Sequence, residues 1–142
     1  MNAVDIVRSA FDYFGNPDRY SLYSDDFQWT DSLGSPPMDK GAWVGMGQMM
    51  EASFPDIEYV IEDINEEGDT VKVVGHFVGT FTNDLDLSPM GMDVIPASGE
   101  KTTWPSNTDL ITVEGKKITR IHNPGTGPDA GLAGFLKAIG VG

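Results

Sequence analysis

The stretch from Val71 to Thr82 alternates with a period of two. Val71, Val73, Gly75, Phe77, Gly79 and Phe81 fall on one side, and Lys72, Val74, His76, Val78, Thr80 and Thr82 on the other. That period is a β-strand's. A strand of this length with one apolar side must sit in a sheet whose matching face is covered. Its glycines predict a bulge or a bend. Upstream, Ile57 to Ile64 is rich in β-branched residues and reads as a strand. Glu66-Glu67-Gly68-Asp69 is the turn between the two. Downstream, Ser106 to Val113 and Lys117 to His122 flank Glu114-Gly115-Lys116 and form a hairpin.

Helical signals lie at the two ends. Val4, Val7, Phe11 and Phe14 have helical spacing over residues 3–14, with Asn2 as cap and Gly15 as stop. Asn16-Pro17 restarts a short helix that carries Tyr20 and Tyr23 and runs out near Ser24. Phe27 to Thr30 reads as a short strand, and Gly34-Ser35-Pro36-Pro37 breaks the chain. A helix from about Asp39 to Phe54 brings Trp43, Met46, Met50 and Phe54 near one face. Its glycines cost about 1 kcal/mol each against alanine, so packing has to hold it. Residues 83–103 form a long, rather apolar loop, of the kind that serves as a lid or packs on its own side chains. The last helix starts at Asp129, buries Leu132, Phe135, Leu136 and Ile139, and stops at Gly140. The predicted architecture is α+β, with helices on one side of a strongly bent antiparallel sheet and a C-terminal helix. The expected core is Phe11, Phe14, Trp43, Met50, Phe54, Val73, Phe77, Leu110, Leu132 and Phe135.

Length and composition narrow the function. A chain of 142 residues fits one domain over 1–142. With 22 acidic against 9 basic residues, the net charge of −13 disfavours nucleic acid and anionic membrane as partners. Cysteine is absent, which excludes thiolate chemistry and disulfides. No apolar run is long enough to span a bilayer and no signal peptide opens the chain, so a cytoplasmic location is expected. His76 and His122 lack a metal-ligand pattern and the acidic pairs lack calcium-loop spacing, so no metal and no cofactor are expected.

The last hairpin holds the candidate chemistry. Strand alternation groups Thr108, Leu110, Thr112, Thr119, Ile121 and Asn123 on one face. Asp109, Ile111, Val113, Ile118, Arg120 and His122 share the other. Asp109 then faces His122 or Arg120, either as an acid/base set or as a structural ion pair. A semi-polar concave face suits a pocket for an apolar ligand with a few polar groups.

The chain resembles the SnoaL-like polyketide cyclase family within the NTF2-like superfamily. The resemblance is carried by Ala52-Ser53-Phe54-Pro55-Asp56-Ile57, by Ile61 to Val71, by Gly79-Thr80-Phe81-Thr82, by Ile95 to Lys101, by Val113 to Ile118, and by Asp129-Ala130-Gly131-Leu132 with Ile139-Gly140. It implies a cone-shaped fold and a homodimer with sheets paired back to back through groups such as Ile111, Val113 and Ile118. It also implies a cofactor-free cyclase or isomerase of the aldol type, acting on a small apolar or carbonyl-containing ligand. In the family's cyclases an aspartate on the last strand removes a proton beside a carbonyl, and a histidine on the preceding strand polarises the substrate. Those places fall on Asn123 and Thr108 here, and the histidine that often follows Gly-Thr is Phe81. An amide cannot act as a general base. His122 or Asp129 is then the alternative base, or the protein is a non-catalytic binding or dimerisation domain that has lost it. The expected pocket has Thr108, Leu110 and Asn123 as floor, Trp29, Met46, Met50 and Trp104 as walls, and the 83–103 loop at its mouth. A buried ionisable group with a strongly shifted pKa in that pocket would favour the enzyme.

Overall fold

A computed structural model of the chain describes residues 2–12, 18–88 and 91–125. The N-terminal helix α1 spans Ala3–Ala10. Asn2 accepts the Asp5 backbone N–H at 2.8 Å, and the Asp5 carboxylate reaches back to the Asn2 N–H, closing a capping box. Arg19–Leu22 is a single 3-10 turn, shorter than the expected helix, because Tyr23 already belongs to a strand. The strands are β1 (Tyr23–Asp31), β2 (Met38–Asp39), β3 (Glu58–Glu67), β4 (Thr70–Thr80), β5 (Leu85–Asp86), β6 (Val94–Ile95), β7 (Lys101–Thr103), β8 (Asn107–Glu114) and β9 (Lys117–Asn123). Helix α2 is Lys40–Ser53, capped by Asp39 on the Ala42 N–H. The predicted helix from Asp129 and the Asn16-Pro17 restart lie outside the described residues, as do Phe14, Leu132 and Phe135.

The main sheet runs β2-β1-β9-β8-β4-β3, with β7 pairing the far half of β4. It is mixed rather than wholly antiparallel, because β1 lies parallel to β9. That pairing joins the two ends of the described chain, so no local hairpin dictates its direction. Two bulges bend the sheet. One skips Glu62, between Ile61↔Gly75 and Asp63↔Val74, and lets Ile61 and Ile64 point the same way. The other leaves Thr119 unpaired, between Thr112↔Arg120 and Val113↔Ile118. The result is a strongly curled half-barrel.

Helix α1 fills the concave side. Ile6, Val7, Ala10 and Phe11 pack on Val71, Val73, Ile111, Ile118 and Ile121. Ile111 and Ile118 are therefore fully buried in the core and are not available to the back-to-back dimer face expected from them. Leu110, expected in the core, is half-buried on the outer face. Trp43, Met50 and Phe77 are half-buried against the core clusters. Helix α2 is held by packing, as its glycines require. Arg19 pairs with Glu51, Tyr20 Oη donates to Glu51 Oε2 at 2.9 Å, and the Tyr20 hydroxyl fits against Gly47.

The 83–103 segment is not an open lid. Leu85 and Leu87 are buried with Phe54, Ile57, Phe81 and Trp104 in a second, smaller core, and β5 pairs with β6. Asp84 Oδ1 accepts the Ala97 N–H at 2.8 Å and ties the segment to itself.

Candidate functional site

The Thr119 bulge decides which hairpin residues face inward. Past it, Leu110 pairs with His122 and Ile111 with Ile121. Ile111 and Ile121 are buried in the concave core, so Leu110 and His122 point outward. One residue further, the same register brings Asp109 level with Asn123 on the inner face. On the other side, β4 sets Val73 against Asp109 and Gly75 against Asn107. A carboxylate thus stands among Val73, Ile111 and Ile121, which are 0%, 0% and 1% exposed.

Asp109 has no hydrogen-bond donor and no cation beside it among the described residues. Burial alone pushes its pKa up to about 7. Most of its surface is covered by protein, and a minority is left exposed. Two phenols share its surroundings. Tyr23 is 3% exposed and accepts a hydrogen bond from the Trp43 side chain. Tyr59 has its hydroxyl buried with no partner among the described residues. Burial and the Asp109 charge both raise the pKa of each, so both phenols keep their protons.

Not all the predicted residues meet here. Asn123 does face inward and is buried, but its Oδ1 accepts the Gly125 N–H at 2.9 Å, which is a backbone-fixing task. Trp29 pairs with Ile121 and packs on the concave core. Met46 is half-buried on α2, Met50 packs against the second core, and Trp104 is buried within it. Thr108 pairs with Val74, in phase with outward Leu110, so neither floors an inner pocket. Thr108 and Asn123 are therefore on opposite faces of the sheet. The expected set Asp109–Arg120–His122 is not assembled either, because Arg120 and His122 share the outer face. There they line a shallow groove of about 190 Å³ with Thr70, Leu110 and Thr112. His122 Nδ1 lies 2.7 Å from Thr30 Oγ1, and its Nε2 lies 3.3 Å from Ser32 Oγ. Asp129 lies outside the described residues. Among the described residues no cluster of His, Asp or Glu could hold a metal ion, and no helix is long and apolar enough to cross a membrane.

The signal for Asp109 was its phase: it alternates with Ile111 and Val113, which puts the one carboxylate on that side of β8 beside two apolar residues. Tyr59 likewise alternates with Ile57 and Ile61.

Helices inside a curled mixed sheet, with a buried acid on its concave face, define an α+β cone of the NTF2-like, ketosteroid isomerase-like kind. The chain belongs to the SnoaL-like domain family, whose sequence model matches residues 15–121. Among curated proteins none matches the sequence. Solved structures share the fold. One is a protein from Pseudomonas putida KT2440 assigned as a polyketide cyclase, at 17% identity and TM-score 0.67, with 98% of each chain covered. A second, from Jannaschia sp. CCS1 and assigned as a SnoaL-like polyketide cyclase, aligns at 19% identity and TM-score 0.66 over 84% of this chain and 82% of its own. A third is a hypothetical protein with a ketosteroid isomerase-like fold from Catenulispora acidiphila, solved with trimethylamine. It aligns at 14% identity and TM-score 0.66 over 97% of this chain and 94% of its own.

Proposed function

We propose that this protein is an enzyme that removes a proton from the carbon beside a carbonyl of a small, largely apolar substrate, with Asp109 as the general base. The observation that carries this reading is a carboxylate on the concave face with no partner among the described residues. An ionised carboxyl with no partner is costly inside a fold, and such groups mark sites of proton transfer. Its pKa of about 7 gives a base that is half ionised at neutral pH and strong enough to matter. Asp109 takes the proton as the C–H bond breaks, and the electron pair moves into an enolate. In a cyclase the enolate then attacks a second carbonyl of the same substrate and the alkoxide formed takes the proton back from Asp109; in an isomerase the enolate takes that proton back at another carbon. The assignments of the structural neighbours as polyketide cyclases favour the first outcome. Asn123, at the place where the family's cyclases carry an aspartate, is not needed as a base when Asp109 stands beside it.

The test is deuterium exchange into 2-tetralone, a flat apolar ketone, followed by NMR. The wild-type protein should accelerate exchange alpha to the carbonyl, and Asp109→Asn should lower that rate by roughly 10² to 10⁴. Exchange that survives Asp109→Asn but is lost in His122→Ala would move the base to the outer face and overturn the reading.

A further inference from the structure

The outer face of the sheet gathers positive groups on a chain that has few of them. Acidic residues number 22 against 9 lysines and arginines, so a cation here has carboxylates to choose from. Arg19 pairs with Glu51, Lys40 with Asp25 and His76 with Glu62. Arg120 and Lys72 pair with no carboxylate among the described residues.

Strand register brings these two cations to one place. Lys72, Leu110, His122 and Thr30 form a row across β4, β8, β9 and β1. Thr70, Thr112, Arg120 and Gln28 form the next row on the same four strands. Adjacent strands lie about 4.8 Å apart, so Lys72 and the Arg120–His122 edge flank Leu110 across about 10 Å. Between them is the groove of about 190 Å³ lined by Thr70, Leu110, Thr112, Arg120 and His122. That is the liquid volume of roughly six waters. Arg120 is held in position there. Its Nη2 and Nε donate to Thr30 Oγ1 at 3.2 and 3.4 Å, and the same hydroxyl lies 2.7 Å from His122 Nδ1. Its Nη1 has no partner among the described residues. The acids closest in register keep to the margins. Glu67 is level with Thr70 at one end of the second row, and Asp39 is level with Gln28 at the other. Asp69 accepts the Thr70 hydroxyl at 3.3 Å, and Asp31 accepts the Leu33 and Ser35 N–H groups.

A fixed guanidinium beside an apolar floor, with an ammonium on the opposite side, complements a molecule that has both an anionic group and a hydrocarbon body. We propose that this outer groove binds a small organic carboxylate, with its anionic group at Arg120 and its body on Leu110. A planar carboxylate matches the guanidinium fork. The hydrocarbon part covers a leucine that is otherwise half-exposed amid polar groups. The groove lies across the sheet from Asp109, and the inference does not depend on the role given to that residue.

The probe is benzoate, followed by methyl NMR of the whole protein at neutral pH. Benzamide is its neutral isostere, and inorganic phosphate is an anion without an apolar body. Benzoate should shift the methyl signals of Thr70, Leu110 and Thr112 and leave those of Val73, Ile111 and Ile121, on the inner face, unmoved. It should bind about tenfold more tightly than benzamide, and more tightly than phosphate. Arg120→Gln and Lys72→Gln should each weaken benzoate up to about fivefold, the range of an exposed ion pair, and leave benzamide unchanged. Lys72→Gln touches no hydrogen bond of the fold among the described residues, so it keeps the test valid if Arg120→Gln disturbs Thr30 and His122. Shifts confined to the inner methyls, equal affinity for benzoate and benzamide, or undiminished benzoate binding in Lys72→Gln and Arg120→Gln would each overturn the site. Phosphate binding as tightly as benzoate would overturn the role of Leu110 and with it the class of ligand.

Discussion

Replacing Asp109 by asparagine should stabilise the protein while it disables the chemistry, and the stabilisation should depend on pH. The folded state raises the Asp109 pKa from 3.8 to about 7 through burial. Protons therefore bind the native chain more tightly than the unfolded one between those values. Stability from this group is fully present below about pH 4, declines as pH climbs, and is lost above about pH 7. Over the full span the loss is about 4 kcal/mol, at ~1.4 kcal/mol for each tenfold in acidity. An asparagine has the same shape and does not titrate. The ionisable groups that share its surroundings, Tyr23 and Tyr59, stay neutral throughout because their pKa values are raised. The difference between variant and wild type thus isolates Asp109. Urea unfolding at pH 5.5 and pH 8 keeps so acidic a chain clear of the pH at which it loses its net charge. Between those two conditions the variant should gain about 2 kcal/mol on the wild type, or roughly 1 M in urea midpoint at a slope near 2 kcal/mol/M. A difference that stays constant with pH, or a variant less stable at pH 8, would show that the Asp109 carboxylate is well solvated or paired and would refute the reasoning.

Gly75→Ala should destabilise by about 1–3 kcal/mol in thermal unfolding, because the new Cβ meets Val60 O at 2.5 Å and Tyr59 at 2.6 Å. Gly47→Ala pushes on the Tyr20 hydroxyl and threatens its bond to Glu51, so its helix-propensity gain should be cancelled in the wild type. In a Tyr20→Phe background the same change should stabilise by about 0.5–1 kcal/mol, which a double-mutant cycle in urea would measure.

What could be read from the sequence is what local chemistry decides. The Asn2 cap of α1, the Asp39 start of α2 and the alternation of Val71 to Phe81 all come from neighbours in the chain, and each is found in the fold. The apolar content of 83–103, with Leu85, Leu87 and Ile95, left open a lid or a segment packed on its own side chains, and the fold buries Leu85 and Leu87 in the second core. The parallel β1–β9 pair was hidden because no local turn joins those strands. The site was hidden for a related reason. A tight turn at Gly115-Lys116 sets one register, and the unpaired Thr119 then shifts it by one residue. A shift of one moves every later side chain to the other face. Thr108 and Leu110 therefore leave the expected pocket floor, and Asp109 joins Asn123 inside. The resemblance to the SnoaL-like cyclases gave the fold and the family correctly, and the proposed base lies on β8 rather than at the last-strand place held by Asn123.

The most direct test of the account is a carbon-detected NMR titration of the aspartate side-chain carboxyls, with Asp109→Asn used to assign the resonance. The Asp109 carboxyl should titrate near pH 7. A carboxyl that titrates near pH 4, in the ordinary aspartate range, would contradict the assignment of Asp109 as a buried, unpaired base.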